Sequence, residues 1–185
     1  NVVSDLKNLY NTKIVAHRGY HYGNAAENSV ASLAEAQKLG VYGSEFDVYI
    51  TTDGVPVIYH NSTFKGNEVP EDAKYKGWRP DSRTYEEIKD YKLANGEPLP
   101  TLDDYLNQAK LYPNVKLIIE IKNHNTTDKT MRAAQTCVDA VKAKGLQNQV
   151  EYIAFSYDVC KKLAGLAPEA TVQYLNGDKA PSTVF

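Results

Sequence analysis

The run Val115-Lys116-Leu117-Ile118-Ile119-Glu120-Ile121-Lys122 constrains this 185-residue chain more than any other. Its near-continuous apolar centre reads as a strand buried on both faces, and such strands belong to parallel sheets flanked by helices. Helical covers follow the same logic. Between Asn28 and Leu39, Val30, Leu33, Ala34 and Ala36 recur at helical spacing, and Gly40 ends the pattern. Strands are expected over Lys13 to Ala16, Gly43 to Ile50, Pro56 to His60, Val115 to Lys122, Val150 to Phe155 and Thr171 to Leu175. Helices are expected from about Asp128 to Lys144, closed by Gly145, and near Asp158 to Ala164, with a short one over Asp5 to Tyr10. Strand and helix alternate, which argues for parallel βα units and an α/β class.

Between His60 and Pro100 the alternation stops. The segment 61–100 is polar, carries Gly66, Gly77 and Gly96 with prolines 70, 80, 98 and 100, and holds the single tryptophan, Trp78. It reads as an insertion after the third strand. The next helix opens at Thr101, an N-cap with Asp104 in the capping-box position. The whole chain, 1–185, is expected to form one domain, because its length suits one well-filled core and not two.

Polar residues gather at the ends of the expected strands. Glu45 and Asp47 are two apart and share a face, as do Glu120 and Lys122, while Phe46, Ile119 and Ile121 face covering helices. Three carboxylates converging on one mouth repel unless a cation or protons neutralise them. Their all-oxygen ligand set, without cysteine or histidine at zinc spacing, selects one hard divalent ion, Mg²⁺ or Ca²⁺. His17 and His60 each end a strand, and paired imidazoles can divide the removal and donation of a proton. Arg18 offers a planar fork, and Lys122 a point charge, to non-bridging phosphate oxygens. His21 and His124 lie in loops on the same face as lesser candidates. The set is a kit for metal-assisted cleavage of a phosphate ester.

In order and spacing, His17-Arg18-Gly19, Ala26-Glu27-Asn28-Ser29, Glu45-Phe46-Asp47, Thr52-Asp53-Gly54, Tyr59-His60 and Glu120-Ile121-Lys122 resemble the glycerophosphodiester phosphodiesterase family, within the phosphatidylinositol-phospholipase-C-like superfamily. The resemblance runs from His17 to about Asn176. It includes Thr84-Tyr85-Glu86-Glu87-Ile88 and Leu99-Pro100-Thr101-Leu102 at the insertion and its exit, and Phe155-Ser156-Tyr157-Asp158 after the fifth strand. It implies a TIM-type (β/α) barrel, a metal at Glu45, Asp47 and Glu120, and His17 and His60 as catalytic acid and base in unassigned order. It implies metal-dependent hydrolysis of a glycerophosphodiester to glycerol 3-phosphate and an alcohol. Glu27 and Asn28 match supporting positions, with Ala26 where the family usually has proline. Asn61 stands where the family usually has aspartate, so it can hydrogen-bond His60 but cannot hold it cationic by charge.

Length sets this resemblance against itself. A closed barrel of this type takes about 250 residues, and six strands, about six of eight, are counted here. The expectation is therefore a barrel shortened at its C-terminus, with a partner chain or a missing segment over its open edges. The alternative readings are a non-catalytic phosphodiester-binding module and a phospholipase-D-like relative on the same scaffold; sphingomyelinase-D-like relatives lack a comparable insertion. With 21 basic and 23 acidic residues the chain has no footprint for nucleic acid, and no apolar run reaches membrane-span length. Cys137 and Cys160 form no C-x-x-C pair and read as buried thiols. Starting at Asn1, with Met131 its single methionine, the chain leans toward an extracytoplasmic setting, periplasmic or secreted, with the cytoplasm left open.

Overall fold

The computed structural model describes residues 2–5, 11–66 and 70–178. The sheet is built from β1 (Val15–Ala16), β2 (Gly43–Ile50), β4 (Lys116–Ile121), β5 (Val150–Ala154) and β6 (Val172–Tyr174), hydrogen-bonded in that order. All four pairings are parallel. Helices α1 (Val30–Leu39), α3 (Leu102–Ala109), α4 (Thr127–Ala143) and α5 (Tyr157–Leu166) fill the crossovers. The result is a curled, partial (β/α) barrel. Residues 2–5 are helical, and the remainder of the expected first helix lies outside the described residues.

β3 (Pro56–Ile58) departs from the expected parallel series: it pairs antiparallel with β2, off the main order. The reason is length. Only residues 51–55 separate the two strands, whereas a parallel return needs a dozen or more. That short link is a closed turn, with the Thr51 hydroxyl accepting from the Val55 N–H and donating to Asp53. β1 pairs with Gly43 and Ser44, and β3 pairs with Val48, Tyr49 and Ile50. The two short strands divide the length of β2 between them, entering from opposite ends.

Both faces of β2 and β4 are covered, as the apolar run requires. Phe46, Val48, Leu117, Ile119 and Ile121 pack outward on α3 and α4 in one cluster, with Phe46 against Tyr105 at 4.4 Å between ring centroids. Truncating a fully buried ring such as Phe46 costs about 3–5 kcal/mol. Glu45, Asp47 and Glu120 take the alternate positions and point inward.

The helices start and stop for local reasons. Ser29 caps α1 through the Ser32 N–H, and Gly40 closes it at φ 68°. Thr101 caps α3 and Asp104 answers it, completing the expected capping box. Segment 61–100 has its own core, in which Phe64, Tyr75, Tyr91 and Leu99 pack on Tyr49, Val57 and Tyr59 of the β2–β3 hairpin and its exit. Its regular structure is short: helical turns over Pro70–Tyr75 and Pro80–Ser82, α2 (Tyr85–Ile88) and a bridge between Lys92 and Pro98. Cys137 and Cys160 are buried free thiols. No helix among the described residues is long and apolar enough to cross a membrane.

Candidate active site

The arrangement of β1 and β3 accounts for the two histidines. β1 rises along one side of β2 and ends beside Ser44, so His17 follows at the level of Glu45. β3 descends the same side from Ile50, and the Tyr59 N–H donates to the Asp47 carbonyl. His60 therefore arrives from the other direction, near enough for its charge to act on His17. A parallel third strand would have pointed away.

Arg18 and Gly19 make the turn after β1 in left-handed conformations, φ 56° and 79°. A Cβ on Gly19 would lie 2.3 Å from Ser32 Oγ, so α1 packs where only glycine fits. The strained Arg18 backbone aims its N–H at Glu45 Oε2, 2.9 Å away. Its guanidinium donates to Glu27 at 3.0 Å, and its Nε lies 3.7 Å from Asp47. Asn28, also left-handed at φ 53°, donates from Nδ2 to Asp47 Oδ2 at 2.9 Å and accepts from the Asp47 N–H at 3.3 Å. Glu27 and Asn28 thus hold Arg18 and Asp47 in register.

One oxygen from each of Glu45, Asp47 and Glu120 lies within 4.8 Å of the others. The three residues are 5%, 1% and 7% exposed. Lys122 Nζ sits 3.0 Å from Glu120 and 3.4 Å from Asp47. Glu45 Oε1 is buried with no hydrogen-bond donor among the described residues, and the Lys122 ammonium is the single cation shared by Asp47 Oδ1 and Glu120 Oε1. Burial first, then the Asp47 charge, pushes Glu45 up to about 8, and the same causes raise Glu120. Buried, oxygen-only and under-compensated, this triad fits a hard divalent cation.

Partial burial and then the Arg18 charge lower the pKa of His17, whose Nε2 lies 3.9 Å from Glu45 Oε2. Nδ1 of His60 is 2.8 Å from Asn61 Oδ1, so the amide makes the orienting hydrogen bond. Burial works to raise Glu27, but the Arg18 hydrogen bond and charge outweigh it and bring that carboxyl down. A cavity of about 250 Å³ opens beside His60, lined by Glu27, Asn28, Tyr59, Lys65, Leu93 and others. Lys65 and Leu93 come from the inserted segment, whose mixed polar composition carried no signal for them.

The structure brings together His17, Arg18, Glu27, Asn28, Glu45, Asp47, His60, Asn61, Glu120 and Lys122. His21 stands apart on an exposed loop. His124 belongs to the wall, where it bonds backbone groups of both β2 and the residue after β4.

A (β/α) barrel with charged side chains at the carboxyl ends of its strands, a carboxylate triad and facing histidines defines a class of phosphoester-cleaving enzymes. The glycerophosphoryl diester phosphodiesterase family matches residues 17–184, and the chain belongs to it. The crystal structure of a glycerophosphodiester phosphodiesterase from Parabacteroides distasonis superposes with a TM-score of 0.84 at 43% identity, covering 93% of this chain and 68% of that one. YqiK of Bacillus subtilis, an uncharacterized protein, is 29% identical over 174 residues, or 90% of this chain and 68% of its own length. Glycerophosphodiester phosphodiesterase 1 of Mus musculus is 31% identical over 119 residues, 60% of this chain and 34% of the relative. The chain thus spans about two thirds of the first two and one third of the mouse protein.

Proposed function

We propose that this protein hydrolyses glycerophosphodiesters to glycerol 3-phosphate and an alcohol, with one divalent cation held by Glu45, Asp47 and Glu120. One observation carries the reading: β1 and β3 deliver two histidines, from opposite directions, over a buried carboxylate triad flanked by two cations. A related phosphodiesterase from Oleispira antarctica, 24% identical with a TM-score of 0.71 and covering 88% of this chain, was solved with the product sn-glycerol-3-phosphate. That likeness supports the fold on which the reading rests.

When bound, Mg²⁺ or Ca²⁺ would neutralise the triad and polarise a phosphoryl oxygen. The remaining work falls to the chain. Arg18 and Lys122 stand at the triad as donors for the non-bridging oxygens, with Glu27 and Asn28 fixing the fork of Arg18 and the carboxylate of Asp47. One imidazole of the His17–His60 pair removes the proton from the attacking oxygen, while the other protonates the departing alkoxide. That attacking oxygen belongs to water, or to the glycerol hydroxyl in a first step through a cyclic phosphate. Asn61 orients His60 through its amide, so the departure from aspartate leaves the orienting contact in place.

The test is hydrolysis of glycerophosphocholine with Mg²⁺ or Ca²⁺ and with chelator, the products being identified. Release of glycerol 3-phosphate and choline that stops on chelation supports the reading. Binding without turnover would favour a non-catalytic module. Release of phosphocholine would place cleavage at the other ester bond and sink it.

A further inference from the structure

His124 occupies an unusual place. β2 and β4 pair in parallel from Gly43↔Lys116 to Val48↔Ile121, and the Lys122 N–H donates to the Val48 carbonyl at 3.2 Å. In a parallel ladder the following rung would run from the Ile50 N–H to the Lys122 carbonyl. The imidazole of His124 stands between those two groups. Its Nε2 accepts from the Ile50 N–H at 2.8 Å, and its Nδ1 lies 2.7 Å from the Lys122 carbonyl.

Both partners are backbone groups with fixed roles. Ile50 can only donate, so Nε2 carries the lone pair; the Lys122 carbonyl can only accept, so Nδ1 carries the hydrogen. The ring is set in place from two further sides. The His124 N–H donates to Thr130 Oγ1 at 2.9 Å, and Tyr49 packs on the ring at 5.1 Å between centroids.

We propose that His124 is a positioning residue, a neutral imidazole rung that sets the end of β4 and thereby the placement of Lys122 at the phosphate site. This inference rests on the proposed phosphodiester chemistry for the role of Lys122. It separates two parts of the site. Glu45, Asp47 and Glu120 lie within the intact ladder, before the ring, whereas Lys122 leaves the ladder at the ring. Losing the ring should displace Lys122 and leave the carboxylate triad in place.

The ring works only when neutral, since a hydrogen on Nε2 would oppose the Ile50 N–H. Besides Thr130 and Tyr49, the charged groups acting on it are Asp81, which favours the imidazolium, and Lys129 and Arg79, which oppose it. Asp81 accepts from Arg79 Nε and Nη2, each at 2.8 Å, and from the Asn125 N–H at 2.7 Å. The inserted segment is thereby latched to the loop that carries His124.

Three measurements on the whole protein test the proposal. The ¹⁵N ring shifts of His124, assigned with a His124→Gln variant, should show a neutral Nδ1–H tautomer at pH 7. His124→Leu should lower kcat/KM for glycerophosphocholine about tenfold with Mg²⁺ affinity within threefold of wild type. His124→Gln, which offers a donor and an acceptor on one planar group, should recover part of that loss. In a Lys122→Ala background His124→Leu should cost at most twofold, because its effect passes through Lys122.

An Nε2–H or cationic ring, a Mg²⁺ affinity that falls as far as activity, or an equal leucine penalty with and without Lys122 would each overturn the proposal. If His124→Leu does not fold, the tautomer and the glutamine variant still decide. If the wild type does not cleave the ester, the proposed reaction fails separately. The same cycle is then read as inorganic phosphate affinity, where a leucine penalty independent of Lys122 again overturns it.

Discussion

Removing the divalent cation should make the protein less stable as pH rises, because Glu45 is then forced to ionise in a dry, negative site. Burial and the Asp47 charge place its folded-state value at about 8, against 4.5 for an ordinary glutamate. Between those values the folded state holds a proton that the unfolded state has released, so stability is full below about pH 4.5 and is lost as pH climbs through 8. At 1.36 kcal/mol per pH unit the gap amounts to about 5 kcal/mol as a ceiling. Hydration of the opened triad reduces it, and a realised loss of 2–4 kcal/mol corresponds to roughly 5–15 °C in Tm for a chain of this size. His17 and His124 act in the opposite sense: with folded values below 6.5, their contributions are present above that pH and lost on acidification. Glu45→Gln isolates the glutamate. The amide oxygen keeps the acceptor for the Arg18 N–H and removes the charge. In chelator, wild-type Tm by calorimetry should fall from pH 5.5 to 8.5, and the variant should fall less and melt higher at pH 8.5. Saturating Mg²⁺ or Ca²⁺ should restore wild type at high pH and leave the variant unmoved, since binding to the folded state adds about 2.7 kcal/mol at one hundred times Kd. A chelated wild-type Tm that is flat or rising over this range, or a Glu45→Gln protein less stable than wild type at pH 8.5, would refute the argument.

Further outcomes can be measured on the same protein. His17→Ala and His60→Ala should each lower kcat by about 10²-fold or more, the range for a lost acid or base, with calorimetric cation affinity little changed. Two near-fully active variants would remove the pair from the chemistry. Asn61→Asp puts a negative charge against His60, favours its imidazolium, and should shift one limb of the pH–rate profile upward; which limb moves tells whether His60 works as acid or base. An unchanged profile would place residue 61 outside the site's electrostatics. Gly19→Ala should destabilise the fold by about 3 kcal/mol in chemical denaturation, combining left-handed strain with the Ser32 collision, and lower kcat through the displaced Arg18. A neutral result would mean that α1 can yield there.

What the chain reveals before folding depends on whether the physics is local. The capping box at Thr101 and Asp104, the stop at Gly40 and the paired faces of Glu45–Asp47 and Glu120–Lys122 are encoded within a few residues, and the structure holds each of them. The direction of β3 was legible too, because five residues between Ile50 and Pro56 leave no room for a crossover. Alternation of strand and helix elsewhere suggested a uniform parallel series, and the short link breaks it at one place. The sequence placed His124 in a loop on the face of the site, but its bridging role was beyond reach. Its partners are the backbone of Ile50, which is 74 positions away, and of Lys122, and a backbone partner leaves no mark on residue type. The same limit hid Lys65 and Leu93, which reach the cavity beside His60 only because the aromatic core of the inserted segment folds back on the hairpin.

The hairpin joins these observations into one dependence. Were β3 parallel, His60 would emerge at the far end of β2 and the two imidazoles could not share a substrate. The antiparallel return carries the chain back along β2 to Asp47, just before His60, and the same hairpin offers Tyr49, Val57 and Tyr59 as the floor on which segment 61–100 packs. The insertion follows from that geometry: turning the strand back leaves the chain with a long return to α3. Segment 61–100 makes that return, covers the hairpin's apolar face, and is latched through Asp81 to the loop after β4. Destabilising its core, for example with Tyr91→Ala, should therefore disturb His60 before it disturbs the triad. Cation affinity should survive at a denaturant concentration where turnover is already lost. Simultaneous loss of both would show that the segment and the barrel fold as one unit, and that the hairpin transmits nothing selectively to His60.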